Sequence, residues 1–160
     1  MTTQPAQDRI AARVLLIDAA GRLLLFRGCD PATPQIRYWF TVGGGLEEGE
    51  GHAEAAAREL FEETGLRLSA DQMHGPVSQD VTEFPYDGVI YRQRQEFFAV
   101  VVESWEVDES GFEEAELRDI DGHRWWTRDE LVAEAEVYYP ENLVELLDQV
   151  TALGLPTIRA

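Results

Sequence analysis

Gly44 to Leu66, GGLEEGEGHAEAAARELFEETGL, is the stretch whose reading decides the fold. Gly43, Gly44 and Gly45, with Gly49 and Gly51 after them, predict a turn, because glycine takes conformations closed to other residues. From His52 to Thr64 the residues are strong helix formers, and Gly65 supplies a stop. At about 100° per residue, Ala53, Ala57, Leu60 and Phe61 fall on one arc, with Ala56 at its edge, and predict the buried face. Glu59, Glu62 and Glu63 fall together on a neighbouring arc. Carboxylates held so close repel one another, and an oxygen-rich cluster suits a hard divalent cation such as Mg²⁺ or Mn²⁺. An acidic helix face is otherwise simply solvated. The glycines in front of it favour a site.

The rest of the composition narrows the function classes. At 160 residues the chain is long enough for one domain with a proper core. The formal net charge of −18 argues against a nucleic-acid polymer or an anionic membrane surface as partner. A small phosphorylated substrate is compatible with that charge only where metal mediates the contact. The single cysteine, Cys29, forms no internal disulfide. With no long apolar run and a polar start, MTTQPAQDR, the reading is a soluble cytoplasmic protein, and a homodimer is compatible with it.

Residues 1–8 read as a disordered tail, 9–154 as a single domain, and 155–160 as a C-terminal tail. Within the domain, strands are predicted over Arg9–Ile17, Leu23–Phe26, Tyr38–Val42, Val77–Phe84, Val89–Val102 and His123–Trp126. Ser104–Asp121 reads as an acidic loop. Thr127 and Glu130 form a capping box for a helix to about Glu136. Pro140 marks the first turn of a last helix that Gly154 closes. Strands around a central helix, followed by two more helices, give a mixed sheet between helical layers.

Gly44, Glu50, Arg58, Glu59, Leu60, Glu62, Glu63, Gly65 and Leu66 fill every fixed position of the signature of the Nudix hydrolase family, which this chain resembles. A departure outside it is Val42, where relatives often carry proline. The resemblance implies an α/β fold, the Nudix α/β/α sandwich with a mixed central sheet. It also implies a metal-dependent pyrophosphohydrolase, cleaving a diphosphate bond in a nucleoside diphosphate-X substrate such as a nucleoside triphosphate. By position in the signature, Glu59, Glu62 and Glu63 resemble the metal ligands, with the Gly44 carbonyl adding an oxygen and Glu50 supporting nearby. Arg58 resembles the arginine that orients a helix carboxylate. Taken alone it reads equally as an exposed partner of Glu54 or Glu62.

Outside the signature the candidates are less tightly specified. Tyr38 and Trp39 sit beside the glycines, where a base could stack, although such aromatics also fill cores. Arg92, Arg94 and Glu96 share one strand face, which carries phosphate-binding charge or is simply solvated. The helix carboxylates make poor general bases once committed to metal. The base is therefore expected from the acidic loop, with Glu116 ahead of Glu113 and Glu114, and with Glu96 as rival. The competing reading is a catalytically silent Nudix-fold nucleotide sensor. Such a sensor has no need of three helix carboxylates, and the few residues after the last helix leave no room for an attached reader domain.

Overall fold

The computed structural model describes residues 5–134 and 137–160. Its organising strand is β1 (Gln7–Asp18), in which Val14, Leu15, Leu16 and Ile17 are all buried, so both faces of the strand are covered. It pairs parallel with β6 (Val89–Val102) along its whole length. Asp18 turns the chain by accepting from the Ala20 and Arg22 amides at 3.0 and 2.9 Å. The return strand is β2 (Leu23–Gly28), which pairs with β3 (Tyr38–Phe40). At Thr41 the chain changes partner. β4 (Val42–Gly45) leaves the edge of β2 and pairs with the middle of β1, from Ala11↔Gly45 to Val14↔Val42.

The expected glycine turn is therefore a strand. The turn comes later, where the Glu50 amide donates to the Glu47 carbonyl at 3.1 Å and Gly49 takes φ 77°. It leads into α1 (His52–Thr64), which ends with Gly65 at φ 79° donating to the Phe61 carbonyl at 2.8 Å. The buried residues of α1 are Ala55, Ala56, Glu59, Leu60, Glu63 and Thr64. Their arc is rotated from the expected one and has the two glutamates at its centre. Phe61 stands 39% exposed instead, with the Arg67 guanidinium 4.0 Å from its ring centroid. Small side chains on several sides of α1 left its orientation to be settled by the sheet.

β5 (His74–Tyr86) and β6 form a long hairpin at the sheet edge. The expected acidic loop contains a helix, α2 (Glu114–Asp119), because the Glu116 carboxylate accepts from its own N-cap amide, that of Glu113, at 3.1 Å. β7 (Ile120–Trp126) starts earlier than predicted and pairs with β2. α3 (Arg128–Ala133) has the predicted Thr127 cap, and its expected extension over 135–136 lies outside the described residues. β8 (Tyr138–Tyr139) joins β3. α4 (Leu143–Leu153) begins after Pro140, whose carbonyl accepts from the Leu143 amide at 3.1 Å. β9 (Thr157–Ile158) adds to β6, so the expected C-terminal tail is partly sheet. At the other end Gln7 and Asp8 already belong to β1, while residues 1–4 of the expected tail lie outside the described residues.

Two cores flank the sheet. Val14, Leu16, Leu24, Phe26, Val42, Phe98 and Val100 pack against Ala56 and Leu60 of α1. Leu15, Ile17, Leu23, Leu25, Trp39, Phe97 and Trp126 pack against Leu143, Leu146, Leu147 and Val150 of α4. At roughly 1.5–3 kcal/mol for each fully buried large apolar side chain, these layers hold α1 firmly against the sheet. Among the described residues no helix is long and apolar enough to cross a membrane.

Candidate active site

The site forms where α1 crosses β4. A Cβ on Gly44 would lie 2.6 Å from Oε1 of Glu59, so only glycine lets that carboxylate lie against the strand. The neighbouring Gly43 amide donates to Glu63 Oε1 at 3.3 Å. Glu116 reaches the same place from α2. One carboxylate oxygen each from Glu59, Glu63 and Glu116 lies within 4.8 Å of the others.

Three carboxylates in so small a space strain one another's charge. Burial raises the Glu63 pKa well above the usual carboxylate range, and Glu59 and Glu116 add to the rise. Glu116 is raised chiefly by burial, with Glu59, Glu113 and Glu62 contributing. Glu62 is raised by burial and then by Glu59. The group these residues fit is a hard divalent cation, which accepts oxygen ligands and supplies the missing positive charge.

Arg58 braces the arrangement. Its Nε and NH2 donate to the two oxygens of Glu50 at 2.7 and 2.9 Å, a fork-to-fork pair. NH1 donates to Glu59 at 3.0 Å and Glu62 at 3.1 Å, and NH2 also donates to the Gly45 carbonyl at 2.9 Å. One guanidinium thus ties three carboxylates to the strand. The hydrogen bond from Arg58 lowers the Glu50 pKa, and Glu50 in turn raises that of Arg58. Glu50 is committed to Arg58 and stands apart from the three clustered carboxylates. Glu62 lies at their rim.

Arg13, which sequence reasoning passed over, faces the cluster from the other side of β4. Its NH1 donates to the Thr41 and Gly43 carbonyls at 3.3 and 3.1 Å. Burial holds its pKa below the usual arginine value, while the charges of Glu63 and Glu59 oppose that shift. The available signal was an arginine inside a strand otherwise read as buried. Tyr38 lies near it, with a pKa raised first by burial and then by Asp30, and lowered by Arg13.

A family model for the NUDIX domain matches residues 7–147. The chain belongs to the Nudix hydrolase family. Among curated relatives, this Nudix chain is 34% identical over 90 residues to the RNA pyrophosphohydrolase of Rhizobium meliloti, covering 52% of the chain and 53% of that relative. It is 34% identical over 73 residues to a MutT-like protein of Streptomyces ambofaciens, covering 46% and 44%. The chain thus spans about half the length of the curated relatives it matches. Its fold resembles the MutT protein of Methanosarcina mazei Go1, with a TM-score of 0.67 at 15% identity over 96% of this chain and 100% of that one. The E. coli dihydroneopterin triphosphate pyrophosphohydrolase gives a TM-score of 0.65 at 18% identity over 93% and 99%. These likenesses establish the Nudix α/β/α fold.

Several expected residues of this Nudix chain lie elsewhere. Trp39 is buried in the α4-side core, edge-on to Trp126 at 5.1 Å between centroids, whereas the half-buried Tyr38 is on the site side. Arg92 and Arg94 are exposed on the opposite face of β6 from Gln93 and Gln95. Glu96 accepts from Gln79 at 2.8 Å and pairs with His52 at 3.4 Å, outside the cluster. Glu113 is the N-cap of α2, and its charge is felt at Glu62 and Glu116.

Proposed function

We propose that this chain is a metal-dependent pyrophosphohydrolase that cleaves the diphosphate bond of a nucleoside diphosphate-X substrate, a nucleoside triphosphate or related nucleotide. The observation that carries the reading is the convergence of Glu59, Glu63 and Glu116 within 4.8 Å, behind a glycine that only a close carboxylate requires. Glu59, Glu63 and the rim residue Glu62 are the residues that would hold Mg²⁺ or Mn²⁺, with the Gly44 carbonyl beside them. Bound there, the metal would neutralise phosphate charge and lower the pKa of a coordinated water.

The remaining work belongs to the protein. Arg58 keeps Glu59 and Glu62 in one orientation, and Glu50 keeps Arg58 in place. Arg13 offers positive charge to the site from the far side of β4, with its NH1 held by the Thr41 and Gly43 carbonyls. Glu116 is the proton acceptor. It comes from a separate helix, and burial raises its pKa above the usual carboxylate range, which makes it a stronger base than an exposed glutamate. A cytoplasmic location and a small nucleotide partner belong to the same reading.

The test is phosphate or pyrophosphate release from a nucleotide panel with Mg²⁺ and with EDTA. Turnover should require metal and vanish in Glu63→Gln. Reaction of isoprenoid diphosphates or diphosphoinositols alone would overturn the substrate class. A silent nucleotide sensor would bind the panel and release nothing.

A further inference from the structure

α2 carries Glu116 into the site, yet little that is apolar holds α2. Glu114, Ala115, Leu117 and Arg118 are all exposed, Leu117 at 68%. The two residues that turn inward are Glu116, half-buried, and Asp119, buried. They stand three positions apart, so they share one face of the helix. An apolar stripe is what ordinarily fixes a helix against its neighbours, and here the inward stripe is a pair of carboxylates. One of the pair is pushed outward, because the charges of Glu59 and Glu63 repel Glu116. Whatever holds the roll of the helix must act on the other.

Asp119 is met by the tip of the β5–β6 hairpin. Asp87 and Gly88 turn the chain there with φ of 51° and 81°, both positive, as a two-residue hairpin turn requires. The Asp87 amide donates to Asp30 Oδ1 at 2.8 Å, and the same oxygen accepts from the Ala32 amide at 2.9 Å. Asp30 is buried, so the tip is pinned just past the end of β2. Beside it the half-buried Tyr86 donates its hydroxyl to Asp119 Oδ2. Burial and then Asp119 raise the Tyr86 pKa to about 12, so the hydroxyl keeps its proton and stays a donor. Arg118 also grips Asp119, at 2.8 and 3.1 Å, but Arg118 belongs to α2 itself. The Asp119 carbonyl accepts from the Cys29 amide at 3.1 Å, which fixes where the helix ends and not which way it is rolled.

We infer that Tyr86 is a positioning residue for the hydrolysis: by holding the Asp119 side chain from a pinned hairpin tip, it sets the roll of α2 and keeps Glu116 turned to the carboxylate cluster. This rests on the reading above in which Glu116 accepts the proton. Tyr86 acts through α2 and touches no reacting atom. The hairpin thus has a task at the site that its place at the sheet edge does not suggest.

The experiment measures turnover, with Mg²⁺, of a nucleoside triphosphate that the wild type hydrolyses. Tyr86→Phe removes one hydroxyl and keeps the ring. A hydrogen bond to a charged partner shifts an equilibrium by about tenfold or more, so kcat should fall about tenfold while KM stays within about twofold. Asp119→Asn still offers the hydroxyl an acceptor oxygen and should lose less than Tyr86→Phe. In a Glu116→Gln background Tyr86→Phe should cost nothing further, because the residue it orients is already disabled. Thermal melting checks that each variant is folded. A Tyr86→Phe enzyme with wild-type kcat, a loss carried by KM instead, or an equal further loss in the Glu116→Gln background overturns the inference while the hydrolase reading stands. No metal-dependent turnover of any nucleotide by the wild type overturns both.

Discussion

Replacing Glu63 with Gln should make the metal-free protein more stable while destroying its activity. Glu63 is 2% exposed, and its carboxylate sits with those of Glu59 and Glu116 within 4.8 Å. At that separation and an effective dielectric constant of about 20, each pair of full charges repels by about 3 kcal/mol. The raised pKa of Glu63 means that proton uptake relieves part of this repulsion, so removing one charge should return about 2 kcal/mol. Gln keeps the shape, and its carbonyl can still accept from the Gly43 amide, so little is lost in exchange. For a domain of this size about 2 kcal/mol corresponds to roughly 4–8 °C in Tm. The pH dependence has a definite sign. Because the folded-state pKa of Glu63 lies above its unfolded value, folding favours the protonated form. The stability it contributes is full below the usual carboxylate pKa and is lost as pH rises through the raised value. Calorimetry in EDTA from pH 5 to 8 should show wild type losing stability along that range and Glu63→Gln losing less. Added Mg²⁺ should raise the wild-type Tm and leave the variant nearly unmoved. If Glu63→Gln melts below wild type in EDTA at pH 8, the carboxylate cluster is not a site of stored repulsion and the reasoning fails.

Arg58→Lys keeps the charge and loses the fork that ties Glu50, Glu59 and Glu62 together, so turnover should fall by roughly two orders of magnitude and more Mg²⁺ should be needed for half-maximal rate. A metal titration of activity unchanged from wild type would count against the bracing role. Gly44→Ala puts a Cβ within 2.6 Å of the Glu59 carboxylate, so it should cut activity sharply. Gly21→Ala, at φ 79° in the distant β1–β2 turn, should cost about 1 kcal/mol of stability and leave the rate alone. Glu116→Gln should lose turnover and remove the acid limb of the kcat/KM profile, a limb that burial of Glu116 places above the usual carboxylate range. Glu96→Gln, outside the cluster, should keep both, and the reverse result would move the base to β6.

The helix and its stop were legible in the sequence to the residue, because helix formers, Gly65 and the glutamate spacing all agree between His52 and Thr64. The long strand Val89–Val102 was equally plain from its apolar run. The arc of α1 that faces the sheet was not. Ala53, Ala55, Ala56 and Ala57 bury almost equally well in any direction, so contact with β4 decides the rotation, and it turns Glu59 and Glu63 inward. The glycines after Val42 read as a turn because local conformational freedom is visible in one dimension, whereas the close approach of a carboxylate is a tertiary fact. Arg13 was hidden for a similar reason: one charged residue in an apolar strand carries no period. Glu116 could be favoured from its place in the acidic stretch, but its helix depends on a capping carboxylate whose partner is its own N-cap amide.

Thr41 is a single buried residue at which the chain passes from one strand partner to another. Its length is therefore a reading frame for the site. One residue added or removed between Phe40 and Val42 would shift β4 by one step against β1, and a one-step slip exchanges the two faces of a strand. Gly44 would turn away from Glu59, and the Gly43 amide would lose Glu63. The surface loop over 31–37 carries no such constraint on its length. Insertions and deletions in descendants of this gene should accumulate in such loops and be purged at Thr41, however conservative the inserted residue.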